Sequence, residues 1–299
     1  MSSSKNPKSS PFNAGHMVLD HLPSMPLLLS QAVFKSATFQ PGDNLPKLRT
    51  DVRSLEIDAE HVQEYRKVCG FSASPLLPPT YFAMFGFPLL LKIMVHDDFP
   101  LRVMGLVHLR NEISVFRSLN VTGNLQMSAE LGASTITHAG LEWDINSEVC
   151  LDGEPVWACK STFLHRYKTG LPRHRVRSTK PRNTPLYWRI NAGTGRRYSR
   201  ISGDYNPIHL SDITAKLFGF KQCIAHGMWT KARCVAAIED NLPRCAYNLS
   251  VEFKRPLYLP SGVMFFQHRE TDVRHFSLVN QLTGHAHLSG QIRELDHGD

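Results

Sequence analysis

The sequence predicts an α+β fold built as a tandem of two units, each a long buried helix wrapped by an antiparallel sheet. Three observations predict it. The segments Thr80–Val95 and Ala225–Ile238 are apolar nearly all round, and a helix of that kind has to be buried. Each is followed by runs in which β-branched and apolar residues alternate, which is the strand signature. A basic, proline-bearing stretch, 168 to 185, separates the two copies of this order and is the best domain boundary in the chain.

The elements follow in chain order. Met1–Ser10 is rich in Ser, Lys and Pro and reads as disordered, and residues 18 to 50, broken by Pro23, Pro26, Pro41 and Pro46, read as an extended arm. Residues 1 to 50 are thus expected to be a partly disordered N-terminal arm. The first unit, 51 to 167, opens with a helix in which Glu60, Val62, Tyr65 and Val68 recur before a turn at Cys69-Gly70. Pro78-Pro79 precedes the buried helix, which Pro88 is expected to kink. Strands are expected over Gly105–Ile113, Ser114–Leu119, Leu125–Leu131, Thr135–Ile145 and Val156–Arg166, with Asp152-Gly153 as a hairpin signal. In the second unit, 186 to 299, the helix Ala225–Ile238 leads into strands Leu249–Tyr258, Val263–Gln267, Arg274–Val279 and His285–Ile292. Pairing the two sheets edge to edge would remove exposed strand edges.

Composition narrows the class. The chain has 299 residues, 42% hydrophobic and 20% charged, which fits a globular protein with a sizeable core. Its net charge of +8 favours anionic partners such as a phosphorylated cofactor or an acidic carrier protein. Much of the excess lies at Arg166-Tyr-Lys168 and Arg173-His-Arg-Val-Arg177 through Lys180 and Arg182, with no interleaved aromatic residues and no recognition motif, so nucleic-acid binding is not expected. The apolar run Tyr81–Val95 is shorter than the ~20 residues of a membrane span. Six cysteines without a C-x-x-C pair point to free thiols and a reducing cytoplasm rather than a zinc ribbon. His285 and His287 alternate as if on one strand but lack a carboxylate or thiolate set nearby, so no metal is expected.

The chemistry concentrates in Tyr198-Ser-Arg-Ile-Ser-Gly-Asp-Tyr-Asn-Pro-Ile-His209. Ser202-Gly203 lets the chain turn sharply before Asp204. Asn206 can cap a turn and Pro207 pre-sets the next residue, so Asp204 and His209 converge on one small volume able to hold a water. Ser211 or Asp212 would cap a short helix, Ile213–Phe218, ended by Gly219. Ile224-Ala-His-Gly-Met228 then opens the second buried helix. A carboxylate and an imidazole sharing one water can take a proton from it and deliver one to an α-carbon. The Gly227 amide, at the positive end of the helix, could receive charge developing on a thioester oxygen. His226 reads as structural and Tyr198 as a packing residue that supports the loop.

Tyr198–His209, with Gly219-Phe220 and Ile224–Met228, closely resembles the hydratase signature of MaoC-like (R)-specific enoyl-CoA hydratases and 3-hydroxyacyl-thioester dehydratases. The resemblance is strong over 185 to 299 and weaker over 50 to 166. It implies a double hot-dog fold, with 51 to 167 as a degenerate unit and 186 to 299 as the catalytic one. It implies that Asp204 and His209 bind the catalytic water, that Gly227 gives the oxyanion N–H, and that Asn206 supports the loop. Ser202, Gly203, Pro207 and Tyr198 complete that support, and Ile224, Ala225, His226 and Met228 border the substrate. It further implies an acyl-CoA or acyl-carrier-protein substrate, without metal or redox cofactor. The first unit lacks a G-D-x-N-P-x-H run, so it is expected to shape an acyl tunnel, with Tyr81–Val95 as a candidate wall. A thioesterase on the same architecture and a non-catalytic acyl-thioester binder are the competing expectations. Monomer and homodimer both suit a chain that carries two units.

Overall fold

The computed structural model describes residues 15–119, 123–172 and 184–295. Two strands, β1 (His16–Leu19) and β2 (Arg49–Val52), flank helix α1 (Met25–Phe34). Helices α2 (Ala59–Cys69) and α3 (Ala83–Met94) follow, then strands β3 (Val107–Val115), β4 (Leu125–Thr137), β5 (Gly140–Leu151) and β6 (Glu154–Arg166). The second half runs β7 (Leu186–Ile190), α4 (Thr194–Ser202), a 3-10 turn Pro207–His209, α5 (Asp212–Leu217), α6 (Gly227–Ala236), β8 (Tyr247–Phe253), β9 (Ser261–Glu270), β10 (Val273–Asn280) and β11 (Ala286–Glu294).

All eleven strands join one sheet in the order β1-β2-β4-β5-β6-β3-β8-β11-β10-β9-β7. The order β2-β4-β5-β6-β3 of the first half is repeated by β7-β9-β10-β11-β8 in the second, and the two copies meet where β3 pairs antiparallel with β8. This is the tandem that the helix-then-strands order predicts, a double hot-dog. Helix α3 is the buried helix of one unit, with Leu89, Leu91 and Ile93 inside, and α6 that of the other, with Trp229, Ala232 and Val235 inside. Pro88 lies within α3, as the sequence requires.

Four expectations are corrected. Residues 18 to 50 are not an extended arm: α1 forms within them, and β2 pairs with β4. Pro26 does not break α1 because it sits in the first turn, where a missing N–H costs no helical bond. Leu28 and Ala32 of α1 then pack on Leu91 of α3. The sheet is antiparallel except at its edge, where β1 runs parallel to β2. Gly105–Ile113 and Ser114–Leu119 are not two strands but the single strand β3, and Thr135–Ile145 is not one strand but the end of β4, a hairpin turn and the start of β5. That turn has no Asn-Gly or Asp-Gly signal, and the hydrophobic pattern runs through it. Tyr198 and Ser202 belong to α4, a helix that the sequence pattern did not announce.

Among the described residues no helix is long and apolar enough to cross a membrane. All six cysteines are free thiols. His285 precedes β11 and is exposed, whereas His287 is buried on that strand with Nδ1 3.2 Å from the Arg255 carbonyl. The basic cluster Arg173–Arg177, with Lys180 and Arg182, lies outside the described residues.

Candidate active site

The end of α4 sets up the site. Its last turn closes with Ser202 Oγ donating to the Tyr198 carbonyl at 2.9 Å. Gly203 then takes a left-handed conformation, φ 71°, which releases the chain from the helix. The Asp204 amide donates to Ser202 Oγ at 3.2 Å, and the Asn206 amide donates to Asp204 Oδ1 at 3.1 Å. Asn206 in turn caps the 3-10 turn that Pro207 begins, its side-chain oxygen accepting from the Ile208 amide. Serine, aspartate and asparagine therefore clamp alternate amides of one tight turn, those of Asp204, Asn206 and Ile208, and His209 follows at its end.

His209 is fixed from two sides. Its Nδ1–H donates to the Ile224 carbonyl at 2.8 Å, which leaves Nε2 as the unprotonated nitrogen of the neutral ring. On the other side its backbone lies against α4 so closely that a Cβ at Gly195 would fall 2.1 Å from the His209 carbonyl oxygen. Gly195 is a support that sequence reasoning missed, because nothing local signals a contact to a residue fourteen positions on.

His226 closes the arrangement. Its ring stacks on His209 with centroids 3.7 Å apart. Its Nε2–H donates to the main-chain oxygen of Asp204 at 3.0 Å, and the same nitrogen lies 3.8 Å from Asp204 Oδ2. One carboxylate oxygen of Asp204 and one ring nitrogen from each of His209 and His226 thus sit within 4.8 Å of one another. These are ligand-type atoms, yet each imidazole already uses one nitrogen on a carbonyl and the two rings lie face to face. A second such group, His268, Glu270 and His275, lies apart on the β9–β10 hairpin.

Burial sets the charge states. It pushes the Asp204 carboxyl above its usual range, while the His209 ring and the Asn206 amide pull it back. It pulls His209 down, with Asp204 and the Ile224 carbonyl acting the other way. His226 falls well below the ordinary imidazole value, through burial and then the neighbouring His209. His108 is pulled to about 3 by burial and the Lys231 ammonium. Three imidazoles held neutral make the fold acid-sensitive. A lowered histidine contributes stability above its unfolded pKa of about 6.5 that is lost as pH falls, by up to about 1.4 kcal/mol per pH unit for each ring. Asp204, shifted upward, acts with the opposite sign. The melting temperature is expected to drop steadily from pH 7 to pH 5 in a thermal scan, and less steeply in His108→Phe. An unchanged melting temperature across that interval would contradict the assignment.

The Gly227 amide starts α6, and among the described residues it has no acceptor. A Cβ at Gly227 would come within 3.1 Å of the Phe253 ring, so glycine keeps that ring against the helix start. Asp204, His209 and Gly227 all border one cavity of about 910 Å³. Tyr198, Ser202, Asn206, Pro207, Ile224, Ala225, His226 and Met228 border it as well, whereas Gly203 does not. Tyr198 is buried and packs against the His226 ring at 4.9 Å. The other wall comes from the first unit, through Met84, Gly86 and Leu90 of α3, and from Leu29 and Val33 of α1. Sequence reasoning missed α1 as a wall, along with the polar residues Asn111, Ser147 and Ser161 of the sheet floor.

Residues 176–287 match the MaoC like domain family. The chain is 33% identical over 258 residues to 3-hydroxyacyl-thioester dehydratase X of Mycobacterium tuberculosis, covering 85% of this chain and 91% of that protein. A crystal structure of HtdX of Mycobacterium tuberculosis superposes with a TM-score of 0.73 at 31% identity, over 83% of this chain and all of the other. A MaoC-like dehydratase from Phytophthora capsici superposes with a TM-score of 0.68 over 85% of this chain and 96% of its own, and at 17% identity it speaks to the fold alone.

Proposed function

The chain belongs to the MaoC-like dehydratase family, and from that membership we propose that it is a hydro-lyase interconverting 3-hydroxyacyl and trans-2-enoyl thioesters in fatty-acid metabolism. The (R)-3-hydroxy configuration is part of the proposal. The observation that carries it is the meeting of Asp204 and His209 beside an open helix-start amide in one acyl-sized cavity.

In the hydration direction a water sits between the Asp204 carboxylate and His209 Nε2. The pair removes one proton as the water oxygen bonds to the β-carbon, and electrons of the C=C bond move toward the thioester carbonyl. The resulting enolate oxygen lies at the Gly227 N–H, where unpaired donors and the helix dipole favour negative charge. The proton then passes from the pair to the α-carbon, which restores the carbonyl and both side chains. Dehydration is the reverse. Asp204 and His209 titrate as a unit, so base and acid are assigned to the pair. No metal or redox group is required by this sequence of steps. The catalytic role falls to the second unit, 186 to 299, while the first contributes channel wall.

The thioester handle is anionic whether it is coenzyme A or the phosphopantetheine of an acyl carrier protein. Lys254, Arg255 and Arg166 border the cavity and suit such a handle. The test is to mix the protein with a trans-2-enoyl-CoA and follow enoyl absorbance and free thiol together. Loss of absorbance without thiol release, with a chiral (R)-3-hydroxyacyl product, is the expected result. Thiol release at the rate of substrate loss would make the protein a thioesterase and end the proposal.

A further inference from the structure

Building on that dehydratase reading, we infer that the deep wall of the cavity, formed by Ser147 and Ser161, recognises a neutral oxygen carried along the acyl chain, a hydroxyl or a keto group. An acyl channel for plain hydrocarbon needs apolar walls, because a hydroxyl buried against methylene groups loses its water without replacement. This one has a polar floor. Ser147 on β5 lies opposite Cys159 on β6, and Ser161 on β6 lies opposite Asn111 on β3. All four border the cavity that holds Asp204.

The hydrogen bonds among them leave, among the described residues, two serine hydroxyls without an oxygen or nitrogen acceptor. Lys231 Nζ donates to Asn111 Oδ1 at 2.6 Å, and Asn111 Nδ2 donates to Ser161 Oγ at 3.0 Å and to Cys159 Sγ at 3.1 Å. Both amide protons of Asn111 are therefore in use, and Ser161 is held as an acceptor with its own O–H still to give. The nearest alternative for that proton is the Cys159 sulfur at 3.9 Å, a poor acceptor. Ser147 is 9% exposed, and among the described residues its hydroxyl has no hydrogen-bond partner at all. Gly86 of α3 lies over it: a Cβ there would sit 3.7 Å from Ser147 Oγ, an ordinary contact, and 3.1 Å from the Met127 methyl, so glycine lets the helix approach the sheet at this point. One O–H without a partner among the described residues and a second whose nearest acceptor is a sulfur at 3.9 Å, both on residues bordering the cavity, fit an oxygen acceptor on the occupant. A carboxylate is a poorer fit, since the Lys231 ammonium behind Asn111 already has three acceptors, Asn111 Oδ1 and the carbonyls of Asn111 and Leu249.

The test uses trans-2-enoyl-CoA esters of equal length, one unsubstituted and the others carrying a hydroxyl or keto oxygen walked along the chain beyond the β-carbon. At one position kcat/KM is expected to exceed that of the plain ester by about tenfold, the worth of one good buried hydrogen bond. In Ser147→Ala and Ser161→Ala that ratio is expected to fall toward one. Equal kcat/KM at every position, or a preference that survives in both variants, would overturn the inference. Binding of saturated acyl-CoAs, with and without the oxygen, to Asp204→Asn by calorimetry gives the same comparison without turnover. The inference therefore stands or falls separately from the dehydratase reading, which the plain ester alone tests.

Discussion

Replacing Asp204 by Asn is expected to cut hydration of a trans-2-enoyl thioester by two or more orders of magnitude while leaving the fold at least as stable as the wild type. The first half follows from the chemistry. Asparagine keeps an oxygen for the Asn206 amide, so the turn survives, but it cannot exchange a proton, and positioned acid–base groups supply about 10²–10⁴ in rate. The second half follows from the direction of the shift. A buried carboxyl raised above its ordinary value contributes stability at low pH that is lost once pH rises through its folded-state pKa, so at neutral pH the charged form is a strain on the fold. A neutral amide removes it. His209→Ala is expected to lose a similar factor, and the double variant no more than the worse single one, because the two side chains act on one water. Activity within tenfold of wild type in Asp204→Asn would remove that carboxylate from the mechanism. A large fall in melting temperature would instead make it a structural residue. Together, steady-state rates and a thermal scan separate the two cases.

The largest loss of stability is expected from Lys231→Met. Lys231 is fully buried in the middle of α6, and its ammonium donates to both oxygens of Asn111 and to the Leu249 carbonyl. Asn111 belongs to β3 and Leu249 to β8, the two strands where the units join. One amino group therefore ties a helix to the seam between both halves. Methionine fills the same volume but takes the donor away from the Asn111 side-chain oxygen and from the Asn111 and Leu249 carbonyls, at a cost of about 2–4 kcal/mol. Urea denaturation measures it as a lower midpoint with the slope retained. The pH dependence provides a second readout. Burial pulls Lys231 down to about 7, so its contribution is full only above the unfolded value near 10.5 and is lost as pH falls toward 7. Wild-type stability should thus gain a term between pH 7 and 9 that the variant lacks. A midpoint unchanged by the substitution would show that the seam holds without the lysine.

How much of this was legible beforehand differs by residue. Asp204 and His209 lie five positions apart in one turn built by Ser202, Gly203, Asn206 and Pro207, so local chemistry was enough to bring them forward as a pair. His226 was read as structural, and its stack on His209 could not have been foreseen, because it depends on where α6 begins relative to a loop seventeen residues earlier. The helix α1 was missed for a different reason. Pro23, Pro26, Pro41 and Pro46 read as breakers when counted, and only the position of Pro26 in the first turn makes it compatible with a helix.

The sequence alone determined the alternation of buried helix and strands, the repeat of that order, and the short-range turn that carries Asp204 and His209. Each is a matter of hydrophobic period or of neighbours within one or two turns of chain, and such information is local. Only the tertiary structure decided that β3 and β8 close the two halves into one sheet, that Lys231 and Asn111 meet 120 residues apart, and that Ser147 lies under Gly86 while Ser161 lies opposite Asn111. Those contacts rest on register and packing between distant segments. A lone serine or lysine carries no mark of what it will face until the sheet has formed around it.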